Sequence, residues 1–476
     1  MTVIDDENRF FSLKFTRRVC MGNERSCLKG IVEVVEQITY DRIPSGTVQK
    51  AKECLADFTG IFINGARKEE SVRLRAALRQ ELPGNPESQA LWMGSTARML
   101  DIDDGHRFAM AHPGVVVNAA AAAMALKMGN VSGKTVIEAI VRGYEIYCYQ
   151  GRVINPSAYL KRGIDATSVC GAAAAAVTAG TMLGLDTAQM EDAVSLAASL
   201  AGGLNQSAID GSAQKYLVAG WGAKLGICAA YLAQHGLGGP SGVFEGRLGF
   251  CNAFAPEPDL DYLMAPKLVW DINSAYMKRY ACVRRIHATL DAVADLVKEQ
   301  GLEAEDIEAV EVRGSQFLCD AGGYDPGDMA QAQTSVPYVT AILLNCGAVE
   351  DHLVHEKLKD AAISAYSRKI KVIKDPEIVA LAQKDKSLWG AAKVKITLKR
   401  GGSCEKTQIV PYGDPELPLP EGAVREKFVR HAAEVTGEPA ALALWTQLME
   451  LEKLEQTGAL FREISDSGLM GEDENE

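Results

Sequence analysis

Asp101, Asp103, Asp104, His106 and His112 fall inside one segment, DIDDGHRFAMAHPG, running from Asp101 to Gly114. Carboxylates and imidazoles exchange protons under mild conditions, and Asp, His, Gly and Pro favour turns and caps over helix interiors. The segment therefore reads as a loop between helices that displays acid and base groups, and it argues for an enzyme. Two plainer readings compete. The aspartates would serve as a solvated turn capping the next helix, or Asp104, His106 and His112 would bind a metal. The sequence carries neither an HExxH run nor a CxxC pair, so no metal is expected.

The elements that must position this loop read as helices. After Pro44, with Ser45 as a cap, Val48, Ala51, Leu55, Phe58 and Phe62 step by three or four. DTAQ at Asp186 has the form of a capping box with Gln189. From Lys215, the positions Leu217, Trp221, Leu225, Cys228 and Leu232 step by three or four until HGLGGPSG stops the helix. Three stretches, Val115 to Leu126, Ser168 to Leu185 and Ser195 to Leu204, are rich in Ala and Gly. Small residues let helices approach closely, so these read as buried helices of a soluble bundle and not as membrane spans.

The pattern changes near residue 267. Alternation at IEAVEVRG (Ile307 to Gly314) and AKVKITLKRGG (Ala392 to Gly402) is the strand period, and Gly401-Gly402 before TQIV predicts a hairpin. Helical pieces intervene at Ala288 to Val297 and Pro337 to Leu344. After GDPELPLPEG the helical pattern returns through Trp445, Leu448, Leu451 and Leu454. The expected fold is mainly α with an α+β lid. Residues 1–266 and 406–476 would form one large helical domain, with residues 267–405 as a smaller α+β domain inserted between them and the acidic end GEDENE disordered.

The 476 residues carry a net charge of −12, which argues against nonspecific nucleic-acid or anionic-membrane partners. Eleven cysteines, Cys20 among them, are scattered without zinc-like pairing and read as reduced thiols. The start, MTVIDDENRF, is neither a secretory signal nor a transit peptide, so the expected location is cytoplasmic. No nucleotide loop is present, because GLGGPSG lacks the Lys-Ser/Thr ending.

Nine segments in order resemble the MmgE/PrpD family: DIDDGHRFAMAHPG, RGYEI at Arg142, TSVCGAAAAA at Thr167, LGLD at Leu183, QKYLVAGWGAKLG at Gln214, FEGRLGF at Phe244, MKRYACVRRIHATLDA at Met277, AQTSVPYVTA at Ala332 and YGDPELPLP at Tyr412. The resemblance implies a helical domain built from both chain ends, an α+β lid, a cleft between them, and a homodimer with no cofactor. Carried over, the family's catalytic groups fall on Asp101, His112, Lys215, Lys278 and Tyr338. Substrate contacts fall on Asp104, His106, Asp165, Thr167 and Arg279. Two positions depart from the family pattern: Gly105 stands where many members have Thr, and Asp165 in GIDAT where they have His.

The reactions implied share a carbanion formed or quenched beside a carboxylate, which requires positive charge preorganised around that carboxylate. Lys215 and Lys278 would supply the charge, His112 would transfer the proton with Asp101 or Asp104 setting its tautomer, and Tyr338 would donate to a leaving hydroxyl or a carboxylate. A hydro-lyase of the 2-methylcitrate dehydratase type, acting on a hydroxy polycarboxylate, leads. An epimerase of an amino or imino dicarboxylate and a cis-aconitate-type decarboxylase are the alternatives, the last weakened because aspartate at 165 repels a carboxylate. A dimeric binding protein that has lost catalysis is a further class. Against these roles stand an exposed Lys215, a packed Tyr338, a solvated basic stretch at Lys278, Arg279, Arg284 and Arg285, and a structural His287.

Overall fold

The computed structural model describes residues 26–385 and 388–469. Cys20, the N-terminal segment and the acidic C-terminal end lie outside the described residues.

Two hydrophobic cores divide the molecule. The first gathers buried residues from Cys27 to Met277 and again from Phe428 to Ile464, so both ends of the described chain build one helical domain. The second runs from Tyr280 to Leu398. The chain crosses between the cores at Met277 to Tyr280, about ten residues beyond the change in pattern near 267.

The helical domain packs by close approach. The Gln214–Gln234 helix lies against the Ala166–Leu183 and Pro86–Met99 helices. A methyl group on Gly220 would collide with the Leu91 carbonyl, and one on Gly226 with the Ala172 carbonyl and the Ala175 side chain. Backbone thus packs on backbone, and the dispersion contacts of three small-residue surfaces replace those of large side chains. The face of Leu217 and Trp221 points outward, with Trp221 54 % exposed, while Val218, Ala219, Ala223, Ile227 and Ala230 are buried. Periodicity located the helix correctly, but the side that packs is the one whose residues are small.

The Ala166–Leu183 and Gln214–Gln234 helices are long and apolar enough to cross a membrane. Their most apolar windows are 89 % and 61 % buried inside the fold, as core helices are. The capping box at Asp186 and Gln189 forms in both directions. Ser45, by contrast, is the first helical residue of Ser45–Gly65 and makes no side-chain cap.

In the lid, strands β3 (Ile307–Gly314), β4 (Ile370–Lys374), β5 (Ala392–Leu398) and β6 (Ser403–Gln408) make one sheet in the order β4-β3-β5-β6. β3 and β4 are parallel and the other pairs antiparallel. The expected hairpin forms at Gly401 and Gly402, whose φ of 85° and 86° suit glycine. Helices His287–Gln300 and Val336–Cys346 cover the sheet.

A second, two-stranded sheet lies just before the crossing: β1 (Gly105–His106) pairs antiparallel with β2 (Ala275–Tyr276), joining the acidic loop to the segment that leads into the lid. Lys68 on the helical side forms an ion pair with Asp351 on the lid, and Arg430 pairs with Glu350 at 3.0 Å. No disulfide joins the described cysteines.

Candidate active site

A cavity of about 610 Å³ opens between the two cores, walled by the acidic loop, the Asn155 to Thr167 region, Lys215, Tyr276, and residues from Val283 to Asp414. Behind one wall sits Asp101. It follows the C-terminus of the Pro86–Met99 helix with φ 51°, a left-handed turn that Asp tolerates better than most residues and that drives its side chain inward. Its carboxylate is fully buried and receives three cations: Arg98 at 2.8 Å, Lys215 at 3.1 Å and Lys278 at 2.6 Å. Burial favours its neutral form, but Lys215, Lys278 and Arg98 together outweigh that and hold the carboxyl well below its ordinary range. Asp103 takes a second contact from Arg98 at 2.8 Å and lies 3.6 Å from Lys278.

His112 lines the cavity. Its Nδ1 stands 2.8 Å from the Asp104 carbonyl oxygen and 3.0 Å from the Asp103 carboxylate. Both neighbours only accept, so Nδ1 carries the proton and Nε2 keeps a lone pair. Burial first, then Arg98, push the imidazolium below the ordinary histidine value of 6.5, with Asp103 opposing. The tautomer is therefore set by Asp103 and by the backbone of Asp104, not by the Asp101 or Asp104 side chains expected from sequence.

Lys215 also lines the cavity, bound to Asp101 and, across the domain boundary, to Gln333 Oε1 at 3.0 Å. Burial lowers its basicity despite Asp101. Asp165 and Thr167 share the wall, Asp165 accepting the Thr167 amide at 2.8 Å as the N-cap of the Ala166–Leu183 helix. His106 lines the wall from β1, its Nδ1 accepting the Ala109 amide and its Nε2 3.3 Å from Asp271.

Four expected residues take other places. Asp104 does not face the cavity: Tyr144 Oη donates to it at 2.5 Å and the Gly114 amide at 2.9 Å, and burial pushes its carboxyl up to about 7. It fixes the start of the Gly114–Met128 helix. Tyr338 packs in the lid core and donates to the Val354 carbonyl at 2.8 Å, leaving its hydroxyl committed. Arg279 faces solvent, 3.4 Å from Asp291, because alternate residues of the extended crossing segment point opposite ways. Lys278, its neighbour, is completely buried and meets Asp101 from behind, so it supplies field and support without lining the cavity. The stretch is therefore not a solvated basic face, since Arg284 and Arg285 line the cavity too. His287 is buried at the Cys282 carbonyl, as the structural reading expects.

Sequence reading missed Arg98 and Tyr276, and named Asp103 without giving it a role of its own. Arg98 had a visible signal, a cation in the last helical turn three residues before Asp101. Tyr276 had none. It pairs with Gly105, and a methyl group there would land on the Tyr276 hydroxyl. Glycine at position 105 thus makes room for a phenol that lines the same cavity, with Arg284 stacked 4.6 Å above its ring.

Asp104, His106 and His112, the set considered for a metal, have separate partners. His106, Cys148 and Asp271 do bring ligand atoms within 4.8 Å of one another. Arg152 already bonds both Asp271 oxygens, at 2.5 and 3.3 Å, so a metal there would have to displace a cation.

The sequence profile of the MmgE/PrpD N-terminal domain matches residues 29–263, and that of the C-terminal domain residues 280–451. Among curated proteins the chain is similar to a cis-aconitate decarboxylase of Aspergillus terreus, 26 % identical with 88 % of this chain and 91 % of that protein covered. It is also similar to a cis-aconitate decarboxylase-like protein, oryM, of Aspergillus oryzae, 25 % identical over 90 % and 95 %. The human cis-aconitate decarboxylase is 25 % identical over 79 % and 78 %.

An NMR titration of the histidine ring protons checks the electrostatics. His112 should titrate below 6.5, staying neutral at pH 7 and gaining its proton only on the acid side. In Asp103→Asn the midpoint should fall further, because the carboxylate that favours the imidazolium is gone. A midpoint above 6.5 in the wild type would contradict this assignment.

Proposed function

The chain belongs to the MmgE/PrpD family, and from that premise we propose that it is a lyase eliminating water from a hydroxy polycarboxylate. The observation that carries this reading is the neutral His112 on a cavity wall shared with Lys215, Arg98 and the Asp165 carboxylate. A substrate carboxylate would lie against Arg98 and Lys215, and His112 Nε2 would take the proton from the adjacent carbon. The electron pair of that C–H bond would pass onto the carboxylate as an enediolate and then return to form the double bond as the β C–O bond breaks. Lys215, made a readier acid by burial, would protonate the leaving hydroxyl, while Arg98 keeps its charge and steadies the enediolate. Asp165 accepts hydrogen bonds and repels carboxylates, which suits a hydroxyl on the substrate.

The names of the relatives favour a second reading, decarboxylation. There the electron pair comes from the C–C bond to a departing carboxylate, carbon dioxide leaves, and Lys215 returns a proton to the carbanion. Epimerisation would use the same carbanion with Asp165 on the opposite face.

Proton NMR in deuterium oxide with citrate, 2-methylcitrate, cis-aconitate, malate, aspartate and iminodisuccinate separates these. Dehydration predicts a new alkene signal with no carbon dioxide, abolished in His112→Gln. Alkene with carbon dioxide release would establish decarboxylation instead, and α-proton exchange without alkene an epimerase. An unchanged spectrum across the panel would overturn the catalytic reading.

The homodimer implied by the family would use the outward apolar face of Gln214–Gln234, where Leu217 and Trp221 are exposed. Light scattering should give twice the 51.2 kDa chain mass for the wild type and the single mass for Trp221→Asp. A monomeric wild type would refute the dimer.

A further inference from the structure

Five arginines line the cavity, and four are already paired. Arg98 meets Asp101 and Asp103, Arg107 meets Asp414 and Glu416, Arg152 meets Asp271, and Arg284 meets Asp414 at 2.6 Å. Arg285 differs. Among the described residues no carboxylate lies within ion-pair distance of it, and its guanidinium makes one hydrogen bond, to the Phe317 carbonyl at 3.3 Å. Asp320, an acid on the same wall, accepts instead from Gln316 at 2.6 Å.

The guanidinium is nevertheless held in place. It stacks 4.7 Å above the Phe317 ring, which packs against Trp389 with centroids 5.3 Å apart. The Trp389 indole is fixed by its N–H donating to the Ala382 carbonyl at 3.0 Å, and the Arg285 backbone rests close against Gly390. Burial lowers the basicity of Arg285, with Tyr159 and Asp320 acting the other way. A partly buried cation that is rigidly stacked, with four of its five donors unused, lacks the anion that would offset its desolvation.

We propose that Arg285, backed by Phe317 and Trp389, is a specificity subsite on the lid that binds a second substrate carboxylate, remote from the carbon handled by His112 and Lys215. The guanidinium fork presents two parallel donors to that carboxylate, and the aromatic pair sets its plane. Binding would therefore span both domains, with the reacting end on the helical side and the remote carboxylate on the lid. Monocarboxylates would leave Arg285 uncompensated and be rejected. This inference rests on the polycarboxylate reading and specifies which part of the substrate the lid recognises.

Isothermal titration of the full-length protein with tricarballylate, a tricarboxylate without a leaving hydroxyl, tests it. Arg285→Met keeps side-chain length over Phe317 and should weaken binding at least tenfold. Arg285→Lys, which keeps the charge without the fork, should weaken it less. Equal affinity in the wild type and both Arg285 variants overturns the subsite while leaving the His112 chemistry standing. A wild type that does not bind tricarballylate overturns the subsite and the polycarboxylate reading together.

Discussion

A single fully buried carboxylate, Asp101, holds three cations that arrive from three different parts of the chain. Arg98 ends one helix, Lys215 begins another, and Lys278 follows the strand that crosses to the lid. Burying four charges is unfavourable unless they compensate one another, so none of these elements can shift without stranding a charge in a low-dielectric interior. Counted without the Asp165 carboxylate, which acts on Arg98 from the cavity wall, the group is unbalanced toward positive charge, because Asp101 and Asp103 face three cations and His112 is neutral. That surplus reaches the cavity through Lys215 and Arg98, where an anionic substrate would complete it.

The rest of the acidic loop is fixed by neighbours of this cluster. Lys427, from the returning C-terminal helices, donates to the Ile102 carbonyl at 2.6 Å and pairs with Asp57, so the far end of the chain clamps the loop beside Asp101. Asp104 closes the loop onto the Gly114 amide, and Asp103 orients His112. The three aspartates of the loop thus act differently, Asp101 collecting cations, Asp103 setting a tautomer and Asp104 starting a helix. The Gly-rich contacts of Gln214–Gln234 matter here because they seat the helix whose second residue is Lys215.

Local physics was legible in the sequence where it was decided locally. The Asp186 capping box, the Gly401-Gly402 hairpin and the loop at Asp101 follow from propensities acting within a few residues, and the change from helical to strand period separated the lid. Strand β4 escaped notice because only Ile370 of its five residues is buried and Lys371 and Lys374, three apart, break the strand period. Periodicity located the Gln214–Gln234 helix without telling which side packs, because large apolar side chains, not small ones, dominate a periodicity argument. Within the site, residue types located His112, Lys215 and Asp101, but which aspartate serves the histidine depends on loop geometry that spacing does not encode. Tyr276 and Arg285 became visible only once distant segments met: one fills the space left by Gly105, the other is the arginine left without an acid. Tyr338 matched a motif, yet its hydroxyl is spent on the lid's own backbone.

The most direct test of the Asp101 cluster is urea denaturation of Asp101→Asn beside the wild type at neutral pH. Asparagine keeps the shape and removes the charge, leaving Arg98, Lys215 and Lys278 uncompensated around a buried amide. The expected loss is about 3–5 kcal/mol of folding stability, the range for breaking a buried ion pair from one side. Because Asp101 stays ionised far below its ordinary range in the fold, the wild-type advantage should persist down to about pH 4 and fade only in stronger acid. A variant as stable as the wild type would contradict the central place given to this carboxylate.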